Sequence, residues 1–171
     1  MPPTTDPRPA SIASDGRHKI TFVPAPTDGS TVNPLSVAVL KATTAINMTY
    51  SFTPDGFDHG TTQATVEDKR YTLPQDLSRP GKETDTLTNK YVDSTDPKSA
   101  AVLLPKDTAG WFVRRKGISN EVDWAAGQTV TVIPFIAGTQ REAAPTENGV
   151  DLIEQTQFIN DVVQRRVKTV A

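Results

Sequence analysis

The sequence predicts a mainly β fold, and three observations carry that prediction. Threonine and valine are abundant, and 14 prolines and 10 glycines punctuate the chain, the composition of strands divided by many turns. Polar and β-branched or apolar residues alternate with period two in several stretches, most regularly over residues 128–133, "QTVTVI". Only one segment carries a full set of helix start and stop signals. With 171 residues the chain is long enough for one domain with a modest core. Its apolar share of 36% is lower than a compact globular domain usually shows.

Residues 1–17 open with "MPPTTDPRPASIASDG", rich in Pro, Ser, Thr and Asp, and read as a flexible arm with little to bury. A single β domain is expected over 18–171. It begins with "HKITFVP", where Ile20 and Phe22 face one way and Lys19 and Thr21 the other. "NPLSVAVLK" suits a short helix with Asn33 as cap and Pro34 in its first turn, and equally a strand through Leu35, Val37 and Val39. "AINMTYSF" (45–52) reads as a strand ended by the turn residues "TPDG". Strands over 61–72 and 82–93 flank "LPQDLSRPG", in which Pro80-Gly81 fits the centre of a type II turn. Neither strand has a reliably apolar face, so both are poor contributors to a private core.

"DPKSAAVLLP" (96–105) is the one firm helix, with Asp96 as cap, Pro97 in the first position and Pro105 as stop. "GWFVRRKG" (110–117) and "QTVTVIPFIAGTQRE" (128–142) follow as strands. "VDLIEQTQFIN" and "DVVQRRVKTVA" suggest a closing hairpin folded at Asn160-Asp161. Pro134 is out of place in the strand over 128–142. A proline has no N–H for a sheet ladder and belongs at an edge strand or a bulge, yet it interrupts the best-patterned run of the chain.

Chemistry is sparse. With no cysteine, a disulfide framework and a thiolate zinc site are both excluded. A net charge of −2 argues against a basic nucleic-acid-binding surface. No apolar run approaches the ~20 residues that span a bilayer, and no secretory signal is visible, so the expectation is no membrane insertion, and either use in a cytoplasm or exit by a route that needs no signal. Asp55, Asp58 and His59 could be drawn as metal ligands, but their composition is that of a polar turn. No nucleophile elbow, phosphate loop or H-E-x-x-H motif occurs. No catalytic, metal or cofactor site is therefore assigned, and a non-enzymatic role is expected. Trp111, Phe112 and Trp124 suit core positions better than a stacking platform.

Several segments together resemble a known family. "TPDGF", "QATVEDKRY", "RPGKETDTLTNKYV", "GWFVRRKG", "AAGQTVTVIPFIAGTQRE" and "VVQRRVKTVA" are similar, in order and spacing, to major tail tube proteins of long non-contractile-tailed phages, particularly those of actinobacteria. The likeness covers residues 18–171. It implies a β-sandwich or partial barrel of the tail tube type with one flanking helix. Six copies would close into a ring, and rings would stack into a hollow tail through which the genome is ejected. The implied partners are the chain itself, tape measure protein, tail terminator and distal tail proteins, with DNA in transit and not bound by sequence. The implied location is the virion tail, after assembly in the host cytoplasm.

That architecture suggests roles for particular residues. Sixfold symmetry would multiply any cation facing the channel, and a basic channel would hold DNA. Gln63, Thr65, Glu67, Thr84, Thr86 and Thr88 are accordingly the candidates to line it. Pro134, Phe135, Arg165 and Arg166 are candidates for an edge shared between subunits. Gln75, Asp76, Arg79 and Pro80, in the loop over 73–81, are candidates for contact between rings, as is the arm over 1–17. Rival readings are a monomeric carbohydrate-binding sandwich using the tryptophans, a small hydrolase built on His59, and another virion protein such as a tail terminator or capsid decoration protein.

Overall fold

The computed structural model describes residues 10–72 and 74–171. In chain order the elements are β1 (His18–Pro24), α1 (Val37–Leu40), β2 (Ile46–Asn47), a 3-10 turn (Thr49–Ser51), β3 (Phe52–Asp68), β4 (Leu77–Val92), α2 (Ala100–Leu103), β5 (Ala109–Lys116), β6 (Thr129–Glu142), β7 (Leu152–Ile159) and β8 (Gln164–Lys168). All the strands belong to one sheet in the order β2-β1-β5-β6-β7-β4-β3, with β8 also beside β6. Every pairing is antiparallel, and the sheet curls into a half-barrel.

Alternation along the middle strands builds a core on each face. Side chains of successive residues point to opposite sides of a sheet, so Phe22 and Val23, Phe112 and Val113, and Val132 and Ile133 divide between the two. Phe22, Phe112, Ile133 and Phe135 join Leu87, Tyr91, Met48 and Leu104 in the larger cluster. Val23, Val113, Val130 and Val132 meet Leu40 and Trp124 in the smaller one, under the segment that carries α1. Strands buried on both faces read as continuous apolar runs, which is why "WFV" and "VIPFI" look as they do. Phe112 stacks on Phe135 with centroids 4.1 Å apart, and Phe22, Phe52 and Phe57 pack around them at tilted or edge-on angles. Aromatic pairs of this kind add about 0.5–1.5 kcal/mol each beyond area burial.

The place of Pro134 follows from what flanks β6. On one side it pairs with β5 without interruption from Val130 to Ile136, Trp111 opposite Pro134. On the other side it pairs first with β8, as far as Val132 opposite Gln164, and then with β7, from Phe135 opposite Ile159. Strands β7 and β8 are therefore not the hairpin expected at Asn160-Asp161. They run one after the other along the same margin of β6, and residues 160–163 leave the sheet between them. The Ala137 amide donates to Thr108 O on the β5 side. Backbone groups alternate in direction along a strand, so Pro134 faces the interrupted side, where no ladder bond is needed. The proline is buried in a central strand and marks a change of partner, not an outer edge.

Three further expectations are corrected. Residues 53–56 are not a turn but a bulge inside β3, between Phe52 opposite Tyr91 and Phe57 opposite Asn89. Gly56 makes the bulge possible, since a Cβ there would stand 2.0 Å from Lys90 O. Pro80-Gly81 lies in β4 beside a second irregularity, with Pro80 opposite Thr65, and not at a turn, since β4 already begins at Leu77. The helix expected over 96–105 shrinks to Ala100–Leu103. Asp96 Oδ1 accepts from the Lys98 amide at 2.8 Å, a local Asx turn that spends its capping capacity early. Ser99 becomes the cap, accepting from the Val102 amide. The segment over 33–41, open between helix and strand, forms α1.

Candidate assembly interface

The long hairpin of β3 and β4 is incomplete on its own. Strand β7 accompanies β4 only over residues 87–92, and beyond that point β4 has β3 alone. Strand β3 is the end of the sheet, so its outer row of backbone groups has no partner among the described residues. Over 61–67 every side chain is exposed, and the two-stranded arm has no apolar face against the body of the chain. A lone two-stranded ribbon is marginal in water, and unpaired edges of this length recruit further strands.

Register sorts the channel candidates onto two faces. Directly opposed residues of an antiparallel pair share a face. Thr84 opposes Thr62, Thr86 opposes Gly60 and Thr88 opposes Asp58, whereas Gln63 opposes Glu83. Thr65 and Glu67 alternate with Gln63 along β3 and stay on its side. The six candidates therefore do not line one wall: Thr84, Thr86 and Thr88 form an exposed stripe, and Gln63, Thr65 and Glu67 look the other way. The irregularity opposite Ala64 lies on β4, where the sequence shows only a proline and a glycine.

Where β4 parts from the sheet, a charged cluster holds the fork. Arg165 on β8 donates to Asp85 Oδ1, to Thr61 Oγ1 at 3.0 Å and to Glu83 Oε2 at 3.4 Å. Thr61 also donates to Asp85 at 2.6 Å, and His59 Nε2 lies 3.3 Å from the same carboxylate. Burial opposes the charge on Asp85, but the bonds from Thr61 and Arg165 outweigh it and hold the carboxyl below its ordinary value. Burial pushes the His59 imidazole below its ordinary value, Asp85 opposes that shift, and Arg165 and Arg114 reinforce it. Asp55, Asp58 and His59 do not converge: His59 turns to Asp85, Asp58 points to the Thr88 face, and Asp55 accepts from Thr53.

Strand β7 is inside out. It buries Gln155 and Gln157 and leaves Phe158 61% exposed. Tyr91 donates to Gln155 Oε1 at 2.9 Å, and Gln155 Nε2 donates to Leu104 O and Gly138 O. Gln140 Nε2 donates to Tyr91 Oη and to Ala101 O, tying α2 to the sheet. Burial pushes the Tyr91 hydroxyl up to about 12. Phe158 is the one phenylalanine of six outside the aromatic core, and it stands beside Ile136 on a groove of about 520 Å³. Sequence reasoning missed it. The signal was a strand whose glutamines share a face with Ile153.

The remaining candidates fall in different places. Pro134 and Phe135 are buried within the chain, Phe135 with no exposure, so their assignment to a shared edge is withdrawn. Arg165 is engaged at the fork, while Arg166 is exposed with φ 53°. Gln75 and Asp76 sit at the hairpin tip, and Arg79 and Pro80 within β4. Of the arm, residues 1–9 lie outside the described residues, while Gly16 O and Arg17 O accept from the Asn120 and Gly117 amides at 2.9 Å. Trp124 is 4% exposed, beneath the Arg115 guanidinium at 4.9 Å, which removes it as a carbohydrate platform. Among the described residues no helix is long and apolar enough to cross a membrane.

A half-barrel with an unfinished margin and an unsupported hairpin has the form of a β-rich structural subunit. A family model for phage tail tube proteins matches residues 5–171, and the chain belongs to that family, a structural component of phage tails. A chain in the 6-fold symmetrised cryo-EM structure of the anti-feeding prophage (AFP) baseplate shares the fold, with a TM-score of 0.55 and 10% identity over 91% of this chain and 97% of that one. No curated protein matches.

Proposed function

We propose that the chain closes laterally into six-membered rings that stack into the hollow tail tube of a long non-contractile-tailed phage, through which the genome is ejected. The observation that carries this reading is the unpaired outer row of β3 over Phe52–Asp68, continued by a hairpin arm that the subunit does not support. A neighbouring copy supplies the missing strand. The stripe of Thr84, Thr86 and Thr88 with Thr62 lines the channel, hydrated and without a cation of its own, with Asp58 opposite Thr88 on the same face, so DNA slides past without being held. Phe158 and Ile136 form the apolar patch that a neighbour covers, and the hairpin tip with Gln75 and Asp76 reaches the next ring. The tube acts with tape measure, terminator and distal tail proteins, and assembles in the host cytoplasm.

Negative-stain microscopy with light scattering on the purified protein tests the reading. Rings or tubes at micromolar concentration are expected. A species that stays monomeric at every concentration, with or without tail-tip initiator, overturns it, and closed rings that never extend favour a terminator-like role.

A further inference from the structure

We propose that the basic end of the subunit, formed by His18, Arg114, Lys116 and Arg166, is the seat for the acidic β6–β7 loop of a second copy, with Glu147 and Asp151 supplying the carboxylates. The inference rests on the stacked assembly above and names one of its contacts.

Cations are gathered there without acids to match. His18 opposes Lys116 and Ile20 opposes Arg114 in the β1–β5 register, so His18, Arg114 and Lys116 share one face, with the exposed Arg166 within electrostatic reach of Lys116. Among the described residues none of them takes part in an ion pair within 4.0 Å. Arg114 lies over the Phe57 ring at 5.2 Å, and its Nε is buried without a partner. A desolvated donor left unbonded is costly, so the Arg114 guanidinium is not fully satisfied within one chain. The cations crowd one another: Arg114 first, then burial and Arg166, lower the Lys116 ammonium, while burial and then Arg114 and Lys116 lower the His18 imidazole. The adjoining pocket of about 380 Å³ is walled by Phe52, Phe57 and Ile20, with Asp15 as the one carboxylate along it.

The complement stands at the other end of the same molecule. Residues 144–151 are all exposed, including Glu147, Asp151 and, at 61%, Val150. Among the described residues neither carboxylate is in an ion pair within 4.0 Å. Lys116 lies by the start of β6, since Arg115 opposes Val130, and the acidic loop follows its end at Glu142. The 14 residues of β6, at about 3.3 Å each, separate the two ends by roughly 40 Å. One molecule cannot satisfy itself, so the contact is between unlike ends of two copies, a heterologous contact of the kind that a stack of rings requires. Phosphates of DNA are the competing anion, but a sixfold ring of such clusters along the channel would hold the genome, which places the seat on a protein–protein contact.

The test has two arms on the full chain. In the first, an acetylated, amidated peptide of residues 142–151 is titrated by NMR. Shifts confined to the basic end are expected, weakened at least tenfold by Lys116→Glu with Arg166→Glu and absent for a peptide with Gln and Asn in place of its acids. In the second, that Lys116/Arg166 variant and a Glu147→Lys with Asp151→Lys variant are each expected to stop stacking, while the chain carrying all four changes stacks again. Arg114→Gln is expected to lose peptide binding with no fall in the unfolding midpoint. Stacking by either half-swapped variant at the wild-type level overturns the seat, as does a duplex oligonucleotide that binds through these residues and displaces the peptide. Failure of the wild type to form rings or tubes counts against the tube reading, and the peptide titration still decides the contact.

Discussion

Arg165 reaches from β8 to Asp85 on β4 across the one place where the sheet divides. The pair joins the C-terminal strand to the base of the unsupported hairpin, with Thr61 and Glu83 as further partners. Arg165→Met is expected to raise amide exchange in residues 61–68 and 77–85 while β5 and β6 keep their protection. Because the Arg165 side chain is 37% exposed, the change in global stability should stay under about 1 kcal/mol. Unaltered exchange in the hairpin would show that the arm is held by other contacts.

Pro134→Ala installs an amide facing residues 160–163, where β6 has no strand partner. A buried donor without an acceptor costs about 1–3 kcal/mol, so urea unfolding should register a loss of that size. Assembly, if Pro134 only marks the change of partner, is unaffected. A variant as stable as the wild type would mean that an acceptor or water already waits in the gap.

Arg115 has no exposed surface, and it organises the loop before β6. Its Nη1 donates to Asp123 O and Gln128 Oε1, and its Nη2 to Ser119 O and Val122 O. Charged donors are worth about 1.5–3 kcal/mol per bond. Arg115→Met strips four acceptors at once and should cost more than about 3 kcal/mol, with a red shift of Trp124 emission as the loop opens. An unshifted spectrum would separate the loop's order from the guanidinium.

Two histidines set the response to mild acid. His59 and His18 both titrate below the ordinary 6.5, largely through burial. A histidine depressed by folding contributes stability that is complete above its unfolded value and is lost as pH falls through its folded one. Unfolding midpoints should therefore drop as pH falls below about 6.5, and His59→Gln should flatten the drop. Asp85, held below its ordinary 3.8, contributes its loss only in stronger acid, so the two effects separate on a pH series. Equal slopes for wild type and His59→Gln would remove His59 from the account.

The fold was legible where pattern and burial agree. Phe22, Phe112 and Phe135 sit at alternating positions in apolar strands, and the core forms where they meet. The family resemblance, carried by segments from "TPDGF" to "VVQRRVKTVA", agrees with the tail tube match. What stayed hidden is non-local. Nothing in "FINDVVQ" says that β7 and β8 share a margin of β6 instead of pairing with each other, because that depends on the length β6 offers. Residues 53–56 carry turn chemistry and use it as a bulge. Thr65 and Thr84 look alike as letters, and only register sends them to opposite faces.

The order of pairing also fixes an order of events at the ribosome. Strand β1 leaves first, but its main neighbour is β5, so residues 18–24 wait until residue 116 has emerged. The hairpin of β3 and β4 can zip meanwhile, yet the aromatic residues it must pack against are not complete until Phe135. A nascent subunit thus displays its recruiting margin before it owns an interior, and contacts so distant in sequence close slowly. A chain released after Val92 is expected to remain soluble only in the keeping of a chaperone.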